Sequence, residues 1–342
     1  MSDPGTEARE LVLARLREDE RFVLATHEGP DGDALGSLVG MQGILRALGK
    51  DSEMYIGADE EPLPAEYEML PLDGLIGEVP PDIAERTVIF LDCGNIDRNP
   101  AAVLRDGRHL LNIDHHHDNT RFGTVNLVVP EASCTAEIVW DLMGSLGVRP
   151  EPAVAEALYI GVITDTGRFM YENTGPRAHL MAADLIESGV DVAGVYRRLY
   201  EGVPTAKLTL LGLALDHIQR FDGGELTIAT LSAGDFAQAG AEGNYSEGII
   251  DQLRTVAGTK VAALVRELPA GQRAGQHKVS LRATGDEVDV SAIARAQGGG
   301  GHRRAAGFTT DLATDELIVF LRGAVAAQLH PAPDGRPAAN VA

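Results

Sequence analysis

The 342-residue chain has only two cysteines and no long hydrophobic run. Cys93 and Cys134 show no CxxC spacing, which excludes a disulfide framework and suits a reducing compartment. Apolar stretches such as LTLLGLAL are too short to span a bilayer, and the start MSDPGTEARE lacks the basic and apolar regions of a signal peptide. We therefore expect a cytoplasmic protein without membrane contact.

Basic residues are scarce as well, with 29 Lys and Arg against 51 Asp and Glu and a formal net charge of −22. This balance disfavours long duplex nucleic acid and anionic membranes as partners. Aromatic residues, at 5%, are too few for tracking a long single strand by stacking. Residues 1–215 carry 17 basic and 36 acidic side chains, whereas residues 216–310 carry 10 and 11. This asymmetry indicates two parts with different roles.

The first part of the chain alternates short apolar runs with helical patterns. The apolar runs are FVLA (22–25), VIFL (88–91) and LLNI (110–113), and the helical patterns cover about 134–146, 153–163 and 177–188. This alternation predicts an α/β domain over residues 1–190, with a mostly parallel sheet flanked by helices. The proline-rich, acidic segment 57–86 predicts loops and short irregular structure.

The second part predicts a smaller α+β domain. A helical pattern at about 204–219 lies in an expected linker over residues 191–219. After it, ELTIATL, KVAALVREL and HKVSLRA alternate like antiparallel strands of a domain over 220–330. The Pro/Ala-rich tail 331–342 predicts disorder.

Acids and histidines follow the apolar runs of the first part directly. They are His27, Asp31 and Asp33 after FVLA, Asp92 after VIFL, Asp114, His115, His116 and His117 after LLNI, and Asp165 in GVITDTGRF. Ligands of open α/β sheets gather at the carboxyl ends of strands, so these groups are expected to converge. Carboxylates packed that closely repel one another unless cations neutralise them. Mixed His and Asp donors favour manganese or a similar ion, and two ions would suit phosphoester hydrolysis.

Each motif also has an interpretation without chemistry. PDGDALGS is typical of a turn followed by a helix cap, and Asp92 could be a simple strand-end acid. The histidine run, including the additional His117, could be a solvated loop. Asp165 could cap a helix or pair with Arg168. These alternatives are weakened because all four motifs fall at strand ends or turns of one domain.

The four motifs THEGPDGDALGS, FLDCGNIDR, IDHHHDN and GVITDTGRF resemble, in this order, those of the DHH phosphoesterase superfamily. GGGGHRRAAGF (298–308) resembles the signature of the DHH-associated C-terminal domain. The resemblance covers most of the chain. Within the superfamily, the chain most resembles the bifunctional oligoribonuclease and pAp phosphatase family, where pAp is 3′-phosphoadenosine 5′-phosphate.

The resemblance implies a site for two Mn²⁺ ions, with Mg²⁺ or another divalent ion as the alternative. The implied ligands are His27 and Asp31 for one ion, Asp33 and His115 for the other, and Asp92 and Asp165 shared by both. His116 would face the scissile phosphate or the attacking hydroxide, and Asp114 would orient the motif by hydrogen bonds. Arg98 and Arg168 would either clamp phosphate or form salt bridges across their loops.

The glycine motif predicts a substrate-binding cradle in the second domain. Its residues are Gly299, Gly300, Gly301, His302, Arg303 and Arg304, with Arg254 and Arg282 as further cations on the same face. Glycine amides can form an anion-binding nest, although a glycine run alone often marks a flexible linker. A metal site in the first domain and a phosphate cradle in the second, held at a fixed distance, would favour very short substrates. A hinge near 190–220 would let the cleft close.

The implied function is hydrolysis of short oligoribonucleotides to nucleoside monophosphates, together with dephosphorylation of pAp. Linear or cyclic di-adenylate is a further candidate substrate, and a homodimer is expected. The alternatives are a RecJ-like exonuclease, a family II pyrophosphatase and a catalytically silent nucleotide-binding regulator. A silent protein would be expected to have lost a metal ligand, and all six candidate ligands are present.

Overall fold

The structure is a computed structural model that describes residues 4–57, 63, 65–67, 69–72, 74–268 and 275–330. The chain divides into two compact units, Met1–Gly202 and Val203–Ala342. The division falls within the segment 191–219 that the sequence predicts as a linker. The tail 331–342, predicted to be disordered, lies outside the described residues.

Unit 1 contains six strands and six α-helices within its described residues. The strands are β1 (Arg21–Ala25), β2 (Asp51–Tyr55), β3 (Leu75–Ile76), β4 (Thr87–Leu91), β5 (His109–Asp114) and β6 (Val125–Val128). The helices are α1 (Pro4–Glu18), α2 (Gly32–Ala47), α3 (Thr135–Ser145), α4 (Pro152–Asp165), α5 (Pro176–Glu187) and α6 (Val192–Tyr200). The predicted α/β class is confirmed, and the described part of segment 57–86 holds only β3 and short 3₁₀ turns.

The six strands form one parallel sheet in the order β3-β2-β1-β4-β5-β6. Alternate residues point to opposite faces: Leu24 and Ile89 pack into the large core with the helices, whereas Val23 and Val88 pack into a smaller core on the other face. Burial on both faces explains why these strands are continuous apolar runs. β1 lies between β2 and β4, so the connections leave it in both directions, and ligands bind at such a switch point.

Helices α2 and α4 lie unusually close, because glycines stand at their contacts. A Cβ on Gly36 of α2 would overlap the carbonyl oxygen of Ala157 in α4. A Cβ on Gly161 of α4 would lie 2.8 Å from the Cβ of Ala136 in α3. Both contacts would be closer than ordinary van der Waals contact, so the lack of a side chain at Gly36 and Gly161 allows the helices to approach this closely.

Unit 2 contains a second six-stranded sheet in the order β11-β12-β10-β9-β8-β7. Its strands are β7 (Gln219–Phe221), β8 (Leu226–Leu231), β9 (Val261–Glu267), β10 (His277–Ala283), β11 (Gly300–His302) and β12 (Ala305–Thr310). Its α-helices are α7 (Thr205–Asp216), α8 (Ala233–Ala239), α9 (Ile249–Arg254), α10 (Val290–Arg295) and α11 (Thr314–Leu329). Helices α10 and α11 contribute to the core on one face, and α7 and α9 to the core on the other.

The sequence predicted an antiparallel second sheet, and this is wrong for one pair of strands, because β8 and β9 pair in parallel. Helices α8 and α9 lie between these strands in the chain and return it to the starting end of β8. A crossover of this kind makes the two strands parallel. The alternating apolar pattern does not distinguish the two directions.

None of the described helices combines the length and apolarity that crossing a bilayer requires. Both cysteines are buried: Cys93 and Cys134 are fully inaccessible. Burial raises the pKa of the Cys93 thiol to about 12 and that of Cys134 well above its usual value. Both are therefore inert thiols in the folded protein.

We expect Gly36→Ala to destabilise the protein by about 1–3 kcal/mol, because the added methyl forces α2 away from α4. Gly144→Ala in α3 is the matched control, since a Cβ there meets no atom within 4 Å. That change should stabilise the protein by about 0.5–1 kcal/mol through helix propensity. Urea unfolding of both variants measures the difference, and equal effects of the two changes would contradict the close-packing argument.

Candidate metal centre

Three neighbouring strands, β1, β4 and β5, end at the same edge of the first sheet. His27 follows β1, Asp92 follows β4, and β5 ends at Asp114 with His115 and His116 directly after it. The parallel arrangement thus brings residues up to 89 positions apart into one cluster. We refer to this cluster, together with Asp31, Asp33 and Asp165, as the acidic edge.

Asp92 lies at the centre of the acidic edge and is 3% exposed. Its Oδ2 is 3.5 Å from His27 Nε2, and its Oδ1 is 3.6 Å from both His115 Nε2 and His116 Nδ1. Thr135 Oγ1 donates a hydrogen bond of 3.0 Å to Oδ1. Burial alone would raise the pKa of Asp92, but the hydrogen bond with His27 and the nearby imidazoles hold it below its usual range.

The backbone of Asp92 is left-handed, with φ 55°. This conformation is uncommon for residues other than glycine, asparagine and aspartate, and it is typical of strained functional positions. The turn begins immediately after β4 ends at Leu91. It directs the carboxylate toward the histidines of both neighbouring strands.

Two groups of donors at the acidic edge meet the geometric requirement for a metal ion. One group is His27, Asp31 and Asp92, and the other is Asp92, His115 and His116, with donor atoms in each group within 4.8 Å of one another. Asp92 belongs to both. Mixed imidazole and carboxylate donors fit a first-row divalent ion. The acidic edge thus has groups able to hold metal.

His27 is held by a contact that leaves its Nε2 directed at Asp92. Its Nδ1 hydrogen-bonds the carbonyl of Glu28 at 2.7 Å, and the ring is 6% exposed. An imidazole ligand commonly donates its second ring nitrogen to a backbone carbonyl, which fixes the ring. Burial would lower the pKa of His27, but Asp92 and the carbonyl of Glu28 raise it overall.

Asp31 and Asp33 have different surroundings although both lie at the start of α2. Asp31 caps the helix by accepting hydrogen bonds from the amides of Asp33 (3.0 Å) and Ala34 (3.1 Å). The capping interpretation of this motif therefore holds together with membership in a metal group. Asp33 is buried and accepts the amides of Thr135 (2.7 Å) and Ala136 (2.8 Å) at the beginning of α3.

Asp33 and Asp165 lie at the acidic edge but outside the two donor groups found among the described residues. Burial, with Asp92 and Asp165 nearby, raises the pKa of Asp33 well above its usual value. Burial likewise raises the pKa of Asp165 to about 6, although His115 lies 3.8 Å away. Asn173 donates to Asp165 Oδ2 at 2.9 Å. A bound cation would stabilise the ionised form of both carboxyls by offsetting their mutual repulsion.

Asp114 is fully buried and holds His116 in place. Its Oδ1 is 2.8 Å from His116 Nδ1 and accepts the His115 amide at 2.9 Å, while Asn119 donates to Oδ2 at 2.5 Å. Burial would lower the pKa of His116, but Asp114 and Asp92 raise it to about 9. The predicted orienting role of Asp114 is supported by these contacts. The additional His117 is exposed.

Arg98 and Arg168 lie in different surroundings. The charge of Arg98 lowers the pKa of both His27 and His116, which places it beside the acidic edge. The guanidinium of Arg168 lies over the ring of Tyr200, 5.1 Å from its centroid. Among the described residues, neither arginine forms an ion pair within 4 Å, so the predicted loop salt bridges are not observed.

Sequence reasoning missed three polar partners of the acidic edge. Thr135, Asn119 and Asn173 bind Asp92, Asp114 and Asp165 respectively. Asn119 belongs to the IDHHHDN motif, and that proximity was a usable signal. Thr135 and Asn173 lie in stretches with no motif.

The glycine run of unit 2 forms an edge strand and a helix end rather than an open loop. Gly298 follows α10 with φ 74°, and Gly300 to His302 form β11. A Cβ on Gly299 would overlap the carbonyl oxygen of Gly307, and one on Gly301 would lie 2.5 Å from that of Ala305. These glycines therefore permit close strand packing, whereas Gly300 faces open space.

The arginines predicted around the glycine run have different surroundings in the structure. Arg303 donates to the backbone carbonyl of Asp286 at 2.8 Å, and Arg304 to its carboxylate at 3.0 Å. Arg282 pairs in register with Ala305, which pairs with position 302. The side chain of His302 lies outside those that the structure describes.

Arg254 ends α9, and Arg282 Nε lies 3.7 Å from the carboxylate of Asp251 in the same helix. α9 packs on the β10 face that carries Arg282. Arg254 and Arg282 thus both lie on the side of the sheet that α9 covers, and Arg282 has an acidic neighbour in Asp251.

Comparison with known proteins matches the DHH family, N-terminal domain, over residues 21–162 and the DHHA1 domain over residues 223–327. The chain belongs to the DHH family. The resemblance of the four motifs is thereby confirmed, and the chain is a DHH-family phosphoesterase. A relative from Thermus thermophilus, named bifunctional oligoribonuclease and PAP phosphatase NrnA, is 37% identical over 89% of this chain and 88% of its own.

Solved structures share the fold. An exopolyphosphatase-related protein from Bacteroides fragilis aligns with TM-score 0.85 and 21% identity, covering 94% of this chain and 97% of its own. The exonuclease RecJ bound to manganese aligns with TM-score 0.50 and 17% identity, covering 97% of this chain and 96% of its own. These likenesses establish the architecture of the DHH-family chain.

We expect Asp92→Asn to lower Mn²⁺ affinity by about ten-fold or more, because Asp92 belongs to both donor groups. Asparagine tolerates the left-handed backbone, so the fold should persist. Calorimetry with Mn²⁺ measures the affinity. Asp97→Asn is the control, since Asp97 is exposed and pairs with Arg105 instead. Unchanged binding in Asp92→Asn would remove Asp92 from the shared position.

Asp114→Asn should lower the pKa of His116 in the metal-free protein from its value of about 9. Burial then acts without the carboxylate that most strongly favours the protonated ring. NMR titration of the His116 ring in chelator-treated protein measures this shift. Asp118→Asn, at a neighbouring exposed position, should leave the titration near pH 9. A His116 pKa that does not respond to Asp114→Asn would be inconsistent with this account.

Proposed function

We propose that this DHH-family enzyme hydrolyses short oligoribonucleotides to nucleoside monophosphates and dephosphorylates pAp. The observation that carries the proposal is the pair of donor groups that share Asp92 at the acidic edge. The name of the Thermus thermophilus relative, an oligoribonuclease and PAP phosphatase, supports the substrate class. Linear and cyclic di-adenylate are further substrates to test.

The proposed site would hold two Mn²⁺ ions, with Mg²⁺ or another divalent ion as the alternative. His27 and Asp31 would hold one ion, Asp33 and His115 would hold the other, and Asp92 and Asp165 would serve both. The shared position of Asp92 and the raised pKa values of Asp33 and Asp165 support this assignment. The solved structure of the exonuclease RecJ contains manganese, an ion that imidazole and carboxylate donors can bind.

Two divalent ions supply positive charge that activates water and offsets the charge developing on the phosphate. The residues of the chain perform the remaining tasks. His116, held in place by Asp114, serves as a proton or hydrogen-bond donor to a phosphate or leaving-group oxygen. Arg98 supplies a guanidinium beside the acidic edge for the non-bridging oxygens.

Unit 2 is proposed to bind substrate through the open Gly300 edge and the cations near it. The register aligns position 302 with Ala305 and Arg282 in one row across the sheet. Arg254 ends the helix on the same face. Arg303 and Arg304 would have to exchange Asp286 for a phosphate, which charge-assisted pairing with a doubly charged group permits.

The charge of the chain limits the substrates that it can recruit. A formal net charge of −22 gives little electrostatic attraction for long nucleic acid. Short oligonucleotides carry few phosphates and need only local cations. The family resemblance further supports a cytoplasmic homodimer, which we include in the proposal.

Purified protein with Mn²⁺ should release nucleoside monophosphate from a ribodinucleotide and inorganic phosphate from pAp. Chelation with EDTA should abolish both activities. Parallel assays with cyclic di-adenylate and pyrophosphate define the range of substrates, and chromatography of products measures each. Turnover of pyrophosphate alone would overturn the proposed substrate class.

A further inference from the structure

The segment that follows Asp165 has an unusual backbone. Gly167, Arg168 and Phe169 are consecutive left-handed residues, with φ values of 54°, 64° and 65°. Two of them are not glycine, and residues of this kind persist in a left-handed conformation only where the surrounding structure imposes it. Hydrogen bonds impose it here: the Arg168 amide donates to Ile163 at 2.7 Å, and the Phe169 amide donates to the Thr166 hydroxyl at 3.1 Å.

This strained turn places aromatic and cationic groups in contact. The Arg168 guanidinium lies over the Tyr200 ring, and Tyr200 lies 5.5 Å from Tyr196 between ring centroids. Gly167 packs so closely against the Tyr171 ring that a Cβ would overlap it. A chain with few aromatic residues has thus concentrated tyrosines around one arginine.

The tyrosine cluster borders the acidic edge. The Gly32 amide donates a hydrogen bond to Tyr67. Burial raises the pKa of the Tyr67 phenol, and the nearby Asp31 and Tyr200 raise it further. Tyr67 therefore connects the start of α2 with the tyrosine that supports Arg168. All these residues belong to unit 1.

The surroundings of the two arginines differ in a way that separates their roles. The charge of Arg98 acts on His27 and His116, where the phosphate is proposed to lie. The charge of Arg168 acts on Tyr196 and Tyr200. Arg168 is exposed, with one side of its guanidinium against a ring. Its opposite side is a flat cationic plane.

We infer that Arg168, supported by Tyr200, forms a nucleobase-stacking subsite beside the acidic edge, which revises its predicted role as a phosphate clamp. The base belongs to a nucleotide adjoining the phosphate to be cut, so the inference rests on the proposed function. Proteins commonly stack unpaired bases on arginine planes and aromatic rings. Stacking is tolerant of sequence because every base has a π-face, which suits degradation of mixed short oligonucleotides.

Arg168→Lys tests the inference because it keeps the charge and removes the plane. The substrates are a ribodinucleotide and its two singly abasic forms, assayed with Mn²⁺ for kcat/KM. Arg168→Lys should lower kcat/KM for the full dinucleotide about ten-fold. It should leave kcat/KM nearly unchanged for the abasic form that lacks the stacked base. Arg149→Lys, an exposed arginine on the α3–α4 connection, is the matched control and should leave all three values unchanged.

Tyr200 gives a second test that does not alter the arginine. Tyr200→Leu should reproduce the loss for the full dinucleotide, because the guanidinium loses its support. Tyr200→Phe keeps the ring and should restore the preference for the base-containing substrate. Thermal unfolding of each variant checks that the fold is kept.

The outcomes separate the inference from the proposed function. Wild-type protein that cleaves none of the dinucleotides would overturn the proposed function. Wild-type cleavage with an equal loss in Arg168→Lys for full and abasic substrates would overturn the inference and assign Arg168 to the phosphate. Wild-type rates in Arg168→Lys for all substrates would overturn the inference as well.

Discussion

The structure depends on holding several carboxylates together at one edge of a sheet against their mutual repulsion. Asp33 shows how the chain does so: its oxygens accept two amides from the first turn of α3, where the helix dipole favours negative charge. Asp92 is surrounded by three imidazoles and a hydroxyl. These partners do not offset the whole cost, since burial and the neighbouring carboxylates together leave the pKa values of Asp33 and Asp165 raised. The remainder is the physical reason for expecting metal.

The positions of β1, β4 and β5 could be predicted because each contains a short apolar run, whereas β2, β3 and β6 were not predicted. The convergence of His27, Asp92 and His115 followed from a general rule about the carboxyl ends of parallel strands. The rule names the edge but not the contacts. Thr135 reaches Asp92 from a helix 43 positions along the chain, and Asn173 reaches Asp165 from a turn with no motif. Such contacts depend on tertiary packing, which local patterns do not encode.

In unit 2, the sequence predicts some strands but not how they pair. The sequence located β8, β9 and β10, but the parallel pairing of β8 and β9 depends on a crossover that alternation cannot reveal. The glycine run was interpreted from its chemistry as a phosphate nest. The structure shows a packing role for two of its residues, since Gly299 and Gly301 allow β11 to approach β12 closely. A Cβ at Gly298 or Gly300 would meet no atom within 4 Å, so these two positions of the run are not required for packing.

The glycine contacts between α2, α3 and α4 have a consequence for ion selectivity. Asp33 is carried by α2 and Asp165 by α4, and these helices meet at Gly36, where an added Cβ would overlap the carbonyl oxygen of Ala157. A flexible side chain at that contact would let the two carboxylates change their separation. Backbone contact does not yield in this way. In the proposed metal site, this fixed spacing would favour a compact ion with short oxygen distances over calcium.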